Sequence, residues 1–475
     1  MSGFPSVEAE GQLTNYCREP ACEPQIACLR WYSPCFRDFR AMAGRCMATG
    51  VSACIKSVLE NILNLTKRGL LGAMLLVPAA TLLTGMATVA LAQGSLKTPI
   101  KIGEINSYST MPQFTQPYRQ GWQLAVEEIN VAGGLLGRKV EVIARDDAGK
   151  PEEAIRHAIE LTSREKVDIL AGAYLSNVGL ALADQAQKNK KVYVASEPLS
   201  DAIVWDKGNR YTFRLRPSTY MQAAMLVEEA AKMPAKRWAT IAPNYEYGQS
   251  AVASFKELLK AKRPDVEFVG EQWPALGKLD AGTSLQALMQ SKPDAIFNAT
   301  FGADLAKLVR EGNQRGIFPR VPVVSLLSGE PEYLDVLKDE TPKGWIVTGY
   351  PWDQIDSPEH ASFAANYYRR FNEYPKVGSV VGYATMQAIF AGIKKAGSTD
   401  SEKLVVALRG LKFSTPFGPA EFRALDQQST MGAYVGKLDL RGNKGTMVQW
   451  RYADGKAYMP TDAYVKARRP PEAMR

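Results

Sequence analysis

From Ile100 onward, short β-branched runs alternate with longer stretches whose apolar positions recur every three or four residues. IKIGEI, at 100–105, alternates and predicts a strand. A polar loop dotted with aromatics follows, with Pro117 where a first helical turn tolerates it. Trp122, Ala125, Val126 and Ile129 then recur at helical spacing and predict a helix with one apolar face. Gly133 and Gly134 end it, and VEVIA opens the next strand. This βαβ unit predicts a parallel sheet with helices on its faces.

The alternation continues. PEEAIRHAIELTSR (151–164) reads as a helix opened by Pro151, with acids in its first turn. VDILAGA predicts a strand, YLSN a loop, VGLALADQAQ a helix, VYVA a strand, SEPLSDAI a loop, and RYTFRLRPS an exit strand and crossover. A second set begins near Arg216. It runs through a helix from Met221 to Ala231, strand WATIAP, loop NYEYG, helix SAVASFKELLK and strand VEFVGE. PDAIFNA, loop TFGAD, helix AKLVREGNQ and strands VPVVSL and GWIVTGY come next, then long helices across 358–397. VGKLDL and MVQWRY predict a two-strand ribbon. The pattern is α/β throughout, in two sets.

The opening stretch, with its glycine-marked strand, GWQLAVEEIN and AGGLLGRKVEVIARDD, resembles the start of the Leu/Ile/Val-type periplasmic substrate-binding proteins of ABC transporters. The likeness covers about residues 98–465, in the family's order. It implies a type I periplasmic binding fold, two doubly wound parallel-sheet lobes joined by a three-strand hinge. By chain order, lobe one would be 98–217 plus 350–424, and lobe two 218–349 plus 425–468, with 469–475 a tail. Hinges would lie near Arg216-Pro217, Gly349-Tyr350 and Leu425. The resemblance implies a monomeric solute-binding component of an ABC importer. It would close on a small amino acid, carboxylate or amide, deliver it to a membrane permease, and need no cofactor. The alternative is a ligand sensor of the same fold acting with a regulator or receptor.

The first 92 residues differ from the rest. All six cysteines, Cys17 to Cys54, lie there, without His and without a CxxC pair. Lys67 and Arg68 precede an uncharged Leu/Ala/Met run from Gly69 to Val89, which ends in Ala90-Leu91-Ala92. Residues 66–92 therefore read as a secretory signal peptide, and the protein as periplasmic. A membrane anchor is the competing reading, since the run reaches the roughly 20 residues a spanning helix needs. The small-x-small site just ahead of the α/β region favours cleavage. No cysteine follows for lipid attachment. Residues 1–65 read as a non-native or disordered extension, with the true start expected between Cys54 and Thr66. The net charge of +9 over 475 residues is modest and dispersed, which argues against nucleic acid as a partner. The basic KARRPPEAMR at the C-terminus reads as a solvated tail.

In open parallel sheets, ligands bind beyond the C-terminal strand ends, where helix N-termini point amides outward. That rule selects the loops at 106–118, 174–177, 196–200, 244–248, 300–304 and 326–331. Ser176, Asn177 and Ser196 each follow a strand and suit a carboxylate, or simple N-capping. The resemblance implies that these two loops grip the ligand carboxylate. It also matches Tyr247 to a tyrosine that reaches the ligand and Phe301 to an aromatic wall. Tyr108, Phe114 and Tyr118 add aromatic character to the first loop. The family's ammonium partner falls near Glu330, displaced by a residue or more, and Asp304 is a poorer substitute. If Glu330 faces away, the ligand would be an amino-free acid or an amide.

The sequence offers little for catalysis. His157 and His360 read as exposed structural residues. There is no G-x-S-x-G elbow and no P-loop, and Gly133–Gly137 lies in the wrong order for a phosphate cradle. Asp146 and Asp147 lack an evident third metal ligand. The Asn298-Ala-Thr300 glycosylation match falls on an expected buried strand. No enzyme activity and no metal are expected.

Overall fold

The structure is a computed structural model that describes residues 98–474. The expected extension, the signal peptide and all six cysteines lie outside the described residues. Among those described, no helix is long and apolar enough to cross a membrane.

Two sheets organise the chain. The first is built from β1 (Ile100–Asn106), β2 (Val140–Asp146), β3 (Ile169–Gly172), β4 (Tyr193–Ala195) and β5 (Thr212–Arg214). Its order is β2-β1-β3-β4-β5 and every pairing is parallel. Helices α1 (Pro112–Val131), α2 (Pro151–Ser163) and α3 (Ser176–Lys188) connect its strands. The second sheet follows α4 (Thr219–Ala230) and holds β6 (Arg237–Ile241), β7 (Glu267–Gln272), β8 (Ala295–Asn298), β9 (Val323–Gly329) and β10 (Ile346–Gly349). Between these strands run α5 (Glu246–Lys262), α6 (Ala281–Gln290), α7 (Gly302–Gln314) and α8 (Pro331–Leu337).

After β10 the chain returns to the first sheet through α9 (Pro358–Phe371), α10 (Val377–Ala396) and α11 (Ser401–Leu408). Helix α10 packs directly on α1. A Cβ at Gly382 would sit 2.1 Å from the Tyr118 carbonyl oxygen, and one at Gly121 2.0 Å from that of Ser379. The two backbones therefore touch, and any larger residue at the crossing would force them apart.

Several elements differ from expectation, each for a local reason. Helix α1 begins at Pro112, not near Pro117, so Pro117 lies inside it and removes one backbone donor. Glu246, a favourable first-turn acid, starts α5, so Tyr247 and Gly248 are helical and not in a loop. Strand β9 runs on to Gly329, placing Leu326–Gly329 in the sheet. The expected C-terminal ribbon, β13 (Ala433–Arg441) and β14 (Lys444–Ala453), is present but does not stand alone. It extends the second sheet, β13 pairing antiparallel with β10. Helices α6 and α11, and the hairpin of β11 (Lys412–Thr415) and β12 (Gly418–Glu421), were not anticipated.

Three chain passages join the two halves, and two of them are hydrogen-bonded together. Arg214 pairs in parallel with Gln428, through Arg214 N–H to Gln427 O at 3.1 Å and Ser429 N–H to Arg214 O at 2.9 Å. Tyr350 N–H donates to Gly329 O at 3.0 Å. Arg469, placed by the sequence in a solvated tail, is 2% exposed. Its guanidinium donates to Asp426 O, Asn209 O and Ala473 O at 3.1–3.2 Å and also meets Val204 O and Gln427. The tail thus ties one hinge passage to the first half. His360 is likewise not exposed: it is buried, and its Nε2 lies 2.6 Å from the Tyr350 hydroxyl.

Candidate functional site

The strand orders locate the site. In the first sheet the order reverses between β1 and β3, and in the second between β6 and β8. Loops leaving such switch points diverge and open a crevice. One cavity, of about 20 Å³, is lined from both: Tyr174 and Ser176 follow β3, Tyr245 and Tyr247 follow β6, and Phe301 follows β8. Glu197, Leu199, Arg216 and Leu327 complete it. That volume admits about one water, so a solute of several heavy atoms enters only when the two sides part.

The sides meet through rings. Phe114 stacks on Tyr174 at 5.0 Å and packs on Tyr333, from α8, at 5.1 Å. Tyr174 meets Phe301 edge-on at 6.1 Å, and Tyr247 meets Phe301 at 5.6 Å. A polar contact also crosses: Ser200 Oγ donates to Glu246 at 2.7 Å. Glu332 on α8 accepts from Gly378 N at 2.9 Å, so the N-terminus of α10 is capped by a carboxylate from the opposite side.

At the first-sheet wall, α3 begins at Ser176 with no side-chain cap. The amides of its first turn lack intrahelical partners, and the helix dipole adds partial positive charge. Ser176 Oγ accepts from Leu199 N and Ser200 N, both at 3.2 Å, which pins the 196–200 loop to the helix start. Among the described residues the Ser176 hydroxyl proton has no acceptor. This is a cradle for an anionic oxygen.

Charge is concentrated around Arg216. Its guanidinium donates to Glu330 at 2.6 Å, and both side chains are buried. Burial lifts the Glu330 carboxyl, to about 7, while Arg216 holds it down. Burial lowers Arg216, but the Glu330 and Glu197 carboxylates more than offset this and leave it raised. A guanidinium N–H at 2.6 Å is the contact of an ionised pair. Glu197 has no such partner. Its Oε2 is buried without a hydrogen bond, and burial, opposed by Arg216, raises its carboxyl well above the usual range. Tyr247 OH, Tyr333 OH and Asn177 Oδ1 are also buried without partners.

Of the residues singled out from sequence, Ser176, Tyr247 and Phe301 line the cavity together. Asn177 stands beside them in the first turn of α3. Phe114 backs Tyr174, and Glu330 sits one layer behind the cavity against Arg216. Tyr108 and Ser196 face the interior of the first half. Tyr108 donates to Glu104 at 2.6 Å and accepts from Trp122 Nε1 at 3.2 Å. Ser196 Oγ lies 2.9 Å from the Tyr118 hydroxyl and 3.0 Å from that of Thr385. Asp304 accepts from Gly277 N at 2.7 Å and Leu279 N at 3.2 Å and holds that loop. Asn298 is buried and donates to Ser325 Oγ at 2.8 Å. Sequence reasoning missed Tyr174, Tyr245, Glu197 and Arg216. The first three lay in or beside the chosen loops, and their acidic or aromatic character at strand ends was the available signal. Among the described residues, no group of three His, Cys, Asp or Glu could hold a metal ion.

A larger cavity, of about 610 Å³, lies between α8, residues 350–353, Tyr374 and the β13–β14 turn. Several of its polar groups are mutually paired, as in Arg441–Asp353 at 3.1 Å and Tyr374–Asp335. It opens at no strand-end switch point, whereas the crevice combines that position with partnerless polar groups.

Comparison with known proteins agrees with the fold. The profile of the family described as periplasmic binding protein matches residues 99–446. A leucine-, isoleucine-, valine-, threonine- and alanine-binding protein of Pseudomonas aeruginosa is 23% identical over 72% of this chain and 90% of its own. A Leu/Ile/Val-binding protein homolog of Brucella abortus is 22% identical over 75% and 90%. Among solved structures, an ABC-transporter solute-binding protein of Rhodopseudomonas palustris in complex with 3,4-dihydroxybenzoic acid superposes with a TM-score of 0.68 at 24% identity, covering 75% of this chain and 98% of that one. A leucine-binding protein of Thermotoga maritima gives 0.66 at 21%, covering 74% and 98%. With the profile spanning nearly three quarters of the sequence, the chain belongs to the periplasmic binding protein family.

Proposed function

We propose that the chain is the solute-binding component of an ABC importer, holding a small carboxylate-bearing solute or amide between two lobes. The observation that carries this is the crevice itself. An uncapped helix start and a free hydroxyl proton at Ser176 face a wall of rings, Tyr245, Tyr247 and Phe301, from the other sheet. In this reading Ser176 and the first amides of α3, at Asn177 and beyond, take the carboxylate. Tyr247 and Phe301 take the side chain, Phe114 and Glu330 support the walls, and Tyr108 and Ser196 act from behind. Residues 98–217 with 350–424 move against 218–349 with 425–468. For a nearly complete switch to the closed state, the solute must favour it by ~5 kcal/mol.

The chain would leave the cytoplasm through cleavage after residue 92, act as a periplasmic monomer, and pass its solute to a membrane permease without chemical change. The test is a thermal-shift screen against branched and aromatic amino acids, benzoate-type acids, short amides and urea. A hundredfold excess over Kd adds ~2.7 kcal/mol of stability, a visible rise in Tm. Recovery of the bound compound unaltered supports transport, and turnover contradicts it.

A further inference from the structure

The charges in the crevice do not balance. Glu330 pairs with Arg216, whereas Glu332, outside the cavity lining, accepts from the Gly378 amide of α10 with one oxygen and leaves Oε2 buried without a partner. Glu197 lines the cavity, is 2% exposed, forms no ion pair among the described residues, and keeps its Oε2 buried without a hydrogen bond. A buried carboxylate without a counter-charge is costly, and a bound cation removes that cost. A solute carrying only a carboxylate would add negative charge beside Glu197, Glu330 and Glu332, with one arginine to answer it. A solute carrying both an anionic and a cationic group would place the first at the start of α3 and the second at Glu197.

We propose that Glu197, and not Glu330, takes the cationic nitrogen of the solute, so that the protein selects zwitterionic amines over their amino-free acids. The side chain stands on the first-sheet half, in the loop that Ser176 pins to α3. Both charged ends of the solute would therefore be gripped from that half, leaving the rings of the second half to close over the remainder. Glu330 stays committed to Arg216. Burial pushes the Glu197 carboxyl up and disfavours its charged form, opposed by Arg216. An ammonium reverses that preference, because a nearby positive charge favours the ionised carboxylate.

This inference rests on the solute-binding reading, and matched pairs of probes separate the two. L-Leucine is compared with 4-methylpentanoate, and L-phenylalanine with 3-phenylpropionate, by thermal shift and calorimetric titration of wild type and Glu197→Gln. The expected result is that an amino acid binds wild type while its amino-free twin does not. Glu197→Gln should weaken the amino acid roughly thirtyfold or more, as loss of a buried charge partner does, and erase the preference within the pair. If the variant fails to fold, the wild-type pairs still decide. An acid that binds wild type as tightly as its amino acid overturns the assignment but leaves solute binding standing, as does full selectivity in Glu197→Gln. No shift with any of the four overturns the assignment. No shift across the wider screen counts against both readings.

Discussion

The hinge and the crevice both bury arginine beside acidic or amide side chains, yet they differ in what is left over. At the hinge, Arg214 donates to Leu199 O at 3.1 Å and also engages Ser200 O and Gln428, while Gln427 donates to Thr212 O at 3.0 Å and Arg210 O at 2.9 Å. Arg469 meets five acceptors. One nitrogen on each arginine remains without a partner, but most donors are answered by backbone. In the crevice the hydroxyl ends of Tyr247 and Tyr333 and one oxygen of Glu197 have none. Buried polar groups are costly when unpaired, so the satisfied cluster reads as scaffold and the unsatisfied one as a place for something else to bind.

The comparison breaks most visibly at Arg469. Arg469→Met leaves several buried acceptors unpaired and should cost about 3 kcal/mol or more in urea unfolding. A loss below about 1 kcal/mol would mean the hinge network is not scaffold. Phe301→Ala should cost about 3 kcal/mol, the low end for an aromatic truncation, because its wall can yield as the sides part. Its solute-induced rise in Tm should disappear, whereas Arg469→Met should keep that rise.

A pH series sharpens the contrast inside the first half. Burial raises the Glu104 carboxyl from 4.5 to about 8. The unfolded chain therefore loses this proton first, and native stability falls as pH rises through that window. Glu104→Gln should flatten the decline, with a gain over wild type on the order of 2 kcal/mol at pH 9 and little difference near pH 4. Parallel curves would show that Glu104 does not titrate in this range. The smallest effect concerns two hydroxyls. Tyr247→Phe removes a partnerless group and should leave solute-free stability unchanged or raise it by about 1 kcal/mol, while Tyr108→Phe breaks the contact to Glu104 and should cost about 1–3 kcal/mol.

The fold was legible because alternation and helical spacing are local. IKIGEI and the face at Trp122, Ala125 and Ile129 needed nothing beyond themselves. The strand-end rule also found the walls, since Ser176, Tyr247 and Phe301 all come from loops it selected. Charge pairing was not local. Glu330 and Arg216 lie 114 residues apart, and their contact could not be read from either neighbourhood. The same holds for Arg469, whose partners Val204, Asn209 and Asp426 meet only in the folded chain. His360 was misplaced because its partner Tyr350 sits in a hinge passage that a helical pattern does not reveal.

Hydrogen exchange, measured with and without the solute that raises Tm most, tests the account most directly. Added protection should fall on 174–177, 196–200, 245–248 and 300–304, with the hinge segments 212–216 and 426–429 already slow and little changed. Protection confined to 335–353 and 441–447, around the 610 Å³ cavity, with the crevice unchanged, would contradict it.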